Sequence, residues 1–134
     1  MKSDNKAILI YIKYFSIALM SSFYIIVGIN HFIHPEIPFL AIIPPSLSFI
    51  GLELVYISGF FEVFLGVLLI FPTKRKLASY GLILLLIAVY PANIYLAFNK
   101  EPQQLIGISS FMASWVRLPV QFIFIGLAYW HAQD

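Results

Sequence analysis

The chain has 134 residues, of which 61% are hydrophobic and only 10% charged, too apolar for the polar shell that a water-soluble domain of this size needs. Its net charge of +2, with no basic stripe interleaved with exposed aromatics, argues against nucleic acid as a partner. Having no cysteine, it forms no disulfide, offers no thiolate to a metal and does no thiol redox chemistry of its own.

The first hydrophobic segment runs over about residues 7–30. It is longer than a signal-peptide core and no small-x-small site follows it, so it is expected to remain a membrane helix. Lys13 lies near its start, where a long side chain can snorkel to the headgroups. The segment ends in GINHFIHP, residues 28–35, which puts an asparagine and two histidines before Pro35 at the end of an apolar run. Three histidines are present in all, but His31 and His34 have no evident third ligand, so no metal site is expected.

From His34 to Gly51 the chain is apolar yet carries Pro35, Pro38, Pro44 and Pro45. Repeated prolines remove backbone donors and break helices, so this stretch is expected to lie across the outer interface as a lid. Three more hydrophobic segments follow, over about residues 54–71, 77–98 and 114–130. A span needs about 17–25 mainly apolar residues, and none of the segments alternates polar and apolar as a barrel strand would. The expected architecture is an all-α, integral membrane four-helix bundle, a single transmembrane domain over residues 1–134.

Polar residues interrupt these spans. Glu62, Asn93, Arg117 and Gln121 all lie within apolar segments, where an ionisable group at the bilayer centre costs about 2.5–3.5 kcal/mol even on the lenient scale. Such groups face the bundle and pair. Gly59, Glu62 and Gly66 share one face of the second helix, and small residues let a neighbouring backbone approach. Counting about 1.5 Å per residue from the basic side places Glu62 and Gln121 at about 13 Å, with Arg117 one turn above Gln121. Asn93 and His31 fall at about 24–27 Å. The expectation is a polar column of His31, Glu62, Asn93, Arg117 and Gln121 under the proline-rich loop, with Glu62 paired to Arg117. Bland readings stand beside it: the histidines as interfacial caps, Asn93 satisfying carbonyls freed by Pro91, and a purely structural ion pair. There is no nucleophile elbow, phosphate loop, zinc motif or haem-attachment sequence, and no catalytic residue is assigned.

Four stretches together, GINHFIHPEIPFLAIIPP, VYISGFFEVFLGVLLIFPTKRKLA, PANIYLAF and RLPVQ, resemble the DoxX-like small membrane proteins in order and spacing over nearly the whole chain. The resemblance implies a four-helix bundle in the bacterial cytoplasmic membrane. It places the family's polar pattern on His31, Pro35, Glu62, Pro91, Asn93, Arg117, Pro119 and Gln121. Relatives in that family are associated with a thiosulfate:quinone oxidoreductase and with oxidative-stress complexes, and distant animal relatives with receptor assembly. Some redox-linked relatives carry cysteines, and their absence here leaves quinone binding or scaffolding.

A buried polar patch walled by aromatics suits a small amphiphile such as a quinone headgroup. The first expectation is therefore an accessory subunit of a quinone-linked membrane redox system, with a lipid bilayer and a membrane redox protein as partners and no intrinsic cofactor. A non-catalytic assembly factor is the alternative. A proton-linked carrier using Glu62 ranks third, because four short helices leave little room for alternating access. Lys2, Lys6, Lys13, Lys74, Arg75 and Lys76 face one side and Lys100 the other, so both termini are expected in the cytoplasm. Cysteines placed at Lys74 and Gln103 should then label from opposite sides, and labelling of Lys74→Cys from outside intact cells would reverse the topology.

Overall fold

A computed structural model describes residues 1–133, and every regular element among them is helical. Helix α1 spans Lys2–Ile33, α2 Gly51–Ile70, α3 Arg75–Ala88, α4 Tyr90–Phe98, α5 Lys100–Ile106 and α6 Arg117–Ala132. Short 3-10 segments at Leu40–Ile42 and Pro45–Ile50 lead into α2, and a π-helical turn at Met112–Val116 leads into α6. Four helical stretches are long and apolar enough to cross a membrane: Lys2–Ile33, Pro45–Ile70, Arg75–Phe98 and Met112–Ala132. In none of them is more than 28% of the most apolar window buried by the protein itself. Their remaining apolar surface needs lipid around it, and the chain is a multi-pass membrane four-helix bundle.

The helices are longer than the apolar segments alone imply. Helix α1 begins at Lys2 rather than near residue 7 and ends at Ile33, giving 32 residues and about 48 Å, well beyond the ~30 Å hydrocarbon core. The third span is broken at Val89, two residues before Pro91, whose missing N–H and bulky ring cannot continue α3. The fourth opens with the π turn just ahead of Pro119, which likewise cannot donate into the preceding turn. Neither irregularity was in the expected boundaries.

Short connections set the neighbours. Helix α2 packs against α1 and α3, while α6 packs against α3 and α4 and touches α1 more lightly. At one end, Arg75 lies over the Tyr14 ring at 5.8 Å, and Lys13 Nζ donates to the Gln133 carbonyl. This basic end therefore gathers the fourth turn of α1, around Lys13 and Tyr14, the Pro72–Lys76 turn and the end of α6. The proline-rich segment and α5 lie at the other, loop end, where Leu40–Ile42 packs on α2, α4 and α5. The apolar core fills the half nearer the basic end, with Ile17, Met20, Tyr24, Leu65, Leu69 and Leu82 in one cluster. Polar side chains of the spans collect above it.

Three glycines hold α1 and α2 together at close range. A Cβ on Gly59 would meet His31 Cβ at 2.5 Å and the Gly28 carbonyl at 3.0 Å. One on Gly28 would meet Val63 Cγ2 at 2.7 Å and the Gly59 carbonyl at 2.9 Å, and Gly66 abuts Tyr24 and Ile25. Such backbone approach is available only to residues without a side chain. Gly59→Ala should therefore lower the thermal stability of the detergent-solubilised protein by about 1–3 kcal/mol, as overpacking does. Gly126, with nothing within 4 Å of where a methyl would stand, should accept Ala without loss. Equal effects of the two substitutions would rule out the close seam.

Candidate functional site

The polar residues form two groups rather than one column. In the first, the glycine seam brings His31 of α1 against Glu62 of α2. His31 is 6% exposed, its Nδ1 bonded to the Val27 carbonyl at 2.8 Å and 3.1 Å from Glu62 Oε2. A neutral imidazole carries a proton on only one nitrogen, and at Nδ1 that proton faces two acceptors. It is aligned on Val27, so Glu62 Oε2 is in ion-pair reach yet buried with no aligned hydrogen bond. The Tyr24 hydroxyl, two turns along α1 toward the core, is also buried without a partner. Phe39, from the proline-rich segment, stacks on the imidazole with ring centroids 3.7 Å apart. Pro35 is buried and its carbonyl accepts the Leu40 N–H at 2.8 Å, which helps return the chain over His31.

The second group ties α6 to the broken third span. Arg117 Nη2 donates to Asn93 Oδ1 at 3.1 Å, Asn93 Nδ2 donates to Gln121 Oε1, and Gln121 Nε2 donates to the Leu86 carbonyl. Leu86 lies in the last turn of α3, where carbonyls lose their helical donors. The helix break ahead of Pro91 thus supplies both the acceptor for Gln121 and the start of α4, which carries Asn93. Arg117 follows directly on the π turn, and its Nε is buried without a partner. Pro91 and Pro119 are themselves exposed and act through the backbone.

The expected Glu62–Arg117 ion pair is therefore corrected. Among the described residues the carboxylate's neighbour is His31, and the guanidinium is bonded to Asn93. The reason lies in the order of helices. Glu62 is on α2, which packs on α1 and α3, whereas Arg117 enters α6, which packs on α3 and α4. Equal height across the diagonal of a bundle does not make contact. The height of His31 is corrected too. Gly66 abuts Tyr24 and Ile25 and Gly59 abuts His31, so Phe71 is level with about residue 20 of α1. Helix α1 overhangs α2 at the basic end, which puts His31 level with Gly59 and Glu62.

His31 is inside its helix and not a cap; the capping position belongs to the exposed His34, whose N–H donates to the Asn30 carbonyl at 2.9 Å. Several buried or packed polar and aromatic positions escaped sequence reasoning. Gln103 is 5% exposed, its Nε2 donating to the Leu96 and Ala97 carbonyls at the end of α4 and its Oε1 accepting from Ser110. Its neighbour Gln104, which is exposed, is the residue to label in a topology experiment. His131, 2% exposed, shares a 2.8 Å hydrogen bond with Ser16 and joins α6 to α1 near the basic end. For Gln103 the only available signal was a polar side chain just after a span; for Phe39 there was none.

A double-mutant cycle separates the observed pair from the expected one. Glu62→Gln combined with His31→Gln should be non-additive in thermal stability by about 0.5–3 kcal/mol. Glu62→Gln combined with Arg117→Gln should add to within about 0.5 kcal/mol. The reverse pattern would restore the diagonal ion pair.

No curated protein and no solved structure matches the chain. A family match covers residues 20–132, a stretch that takes in both polar groups and the whole glycine seam, and the chain belongs to that family, described as Domain of unknown function (DUF8561).

Proposed function

We propose that the protein binds the head of a small amphiphile, a quinone being the best candidate, as an accessory subunit of a membrane redox system. One observation carries the reading. The Tyr24 hydroxyl and Glu62 Oε2 are both buried and unpartnered, with His31 beside Glu62 and with Phe39 stacked on its imidazole. Buried polar atoms without partners are rare in proteins, and a ligand that completes them accounts for their retention. A quinone offers two carbonyl acceptors, and its quinol two hydroxyl donors. The hydroxyl of Tyr24 can donate to the former, and the carboxylate of Glu62 can accept from the latter. Phe39 lies flat on the imidazole at an interplanar angle of 26°, the place that a planar ring would take on displacing it.

The resemblance to DoxX-like proteins supports the same reading, with a redox enzyme as partner and the bacterial cytoplasmic membrane as the location. The basic end, which collects six of the seven basic residues outside the spans' polar groups, would then face the cytoplasm and the His31 group the outer side. Electron transfer belongs to the partner in this scheme. The chain positions the head and excludes water from it.

Purification in mild detergent, followed by solvent extraction and mass spectrometry, tests the proposal. Wild-type protein should carry quinone, and Tyr24→Phe combined with Glu62→Gln should lower its occupancy about tenfold or more while the protein stays monodisperse. A stoichiometric protein partner with no quinone in any preparation would replace the proposal with an assembly role.

A further inference from the structure

A groove lies at the opposite end of the bundle from His31. We propose that the groove flanking α1 and the end of α2 holds an anionic glycerophospholipid, its phosphate on Arg75 and its glycerol esters and one acyl chain along the wall of Ala18, Ser21 and Ile25. The groove has a volume of about 320 Å³ and is lined by Tyr14, Ala18, Ser21, Ile25, Ile70 and Arg75 among others. Its walls are largely apolar, and its polar side chains come from two helices, Tyr14, Ser21 and Ser22 from α1 and Arg75 from α3.

Arg75 is a prepared anion ligand. Its Nε donates to the Leu69 carbonyl and its Nη2 to the Ile70 carbonyl, each at 3.0 Å, and the guanidinium lies over the Tyr14 ring. These contacts fix the plane of the group while using two of its five N–H donors. No carboxylate among the described residues pairs with it. A guanidinium held in this way presents its remaining N–H groups to a phosphate without further loss of side-chain freedom. Lys74 and Lys76 flank it in sequence, and α3 starts at Arg75 with no side chain capping its first N–H groups. All of these favour an anion at that point.

Ser21 supplies the independent sign of a ligand. It is 2% exposed, it lines the groove, and its hydroxyl has no partner, whereas Ser22 beside it is satisfied by the Ala18 carbonyl. Ser21 lies seven residues, about 10 Å, along α1 from Tyr14. That is on the hydrocarbon side of a phosphate held at Arg75, the direction in which a lipid's glycerol esters lie, and an ester carbonyl is an acceptor of the kind that a lone hydroxyl lacks. Charge complementarity therefore selects an anionic lipid, and the unpartnered Ser21 hydroxyl favours one that carries acceptors below its phosphate. The site does not depend on which side of the membrane the basic end faces, or on the proposal for His31 and Glu62.

Native mass spectrometry of the detergent-solubilised protein, with phosphatidylglycerol or phosphatidylcholine added at equal concentration, tests it. Wild-type protein should retain phosphatidylglycerol about tenfold more than phosphatidylcholine. Arg75→Gln should abolish the preference. Because Arg75 also closes the end of α2, Ala18→Phe provides the second variant. It alters an exposed position, keeps every charge and fills the groove, and it should lower phosphatidylglycerol retention to the phosphatidylcholine level. Lys2→Gln with Lys6→Gln, far from the groove, should leave the preference intact. Equal retention of the two lipids by wild-type protein would overturn the proposal, as would full retention by Ala18→Phe. Competition by glycerophosphoglycerol, the headgroup without acyl chains, as effective as that by the intact lipid would also overturn it.

Discussion

The approach of α1 to α2 through Gly28, Gly59 and Gly66 is the constraint on which the polar chemistry of the bundle depends. With His31 Cβ within 2.5 Å of where a side chain on Gly59 would begin, the imidazole has no freedom to leave the seam. Glu62, three residues on from Gly59, comes round on the same side of α2, and its carboxylate meets Nδ1. In hydrocarbon neither helix gains by merely covering apolar surface, so close van der Waals contact across small residues is the main attraction available. The same contact that joins the helices therefore carries two ionisable groups out of lipid and into each other's reach.

Below that pair the bundle is a filled apolar core, and above it Phe39 and the proline-rich segment close the loop end. The arrangement leaves Tyr24 and Glu62 under-satisfied in a setting where unmet hydrogen bonds are expensive. The Arg117–Asn93–Gln121 group has a different character. Its members pass hydrogen bonds on to the Leu86 carbonyl at a helix break and so repair the backbone of the third span. Apart from Arg117 Nε, the Arg117 group is spent on repairing the fold, whereas the His31–Glu62 group leaves both an acceptor and a donor open, which is why the functional proposal rests on the His31–Glu62 group.

Much of this was legible from residue order. Four apolar stretches, the proline-rich segment between the first two, and the polar residues within the spans all follow from composition and the cost of burying charge. The glycines at 59 and 66 pointed to a close helix contact, and the structure has one there. The pairing of Glu62 was misread because distance along a helix specifies height and not neighbour. The height of His31 was misread because an apolar run does not mark where α1 ends: polar Lys2, Ser3, Asp4 and Asn5 continue the helix beyond the bundle. The stacking of Phe39 depends on how a loop with four prolines folds back, and no periodicity encodes that. The bond from Gln121 to Leu86 depends on a carbonyl exposed only once the helix breaks.

Nitrogen NMR of the protein in lipid nanodiscs, with histidine labelled in the ring, measures the central contact directly. His31 should show a protonated Nδ1 whose shift moves on Glu62→Gln and is unchanged by Arg117→Gln, because only the Glu62 carboxylate lies at 3.1 Å from that nitrogen. A His31 resonance indifferent to Glu62→Gln, or one that responds instead to Arg117→Gln, would contradict the seam as the organiser of the site.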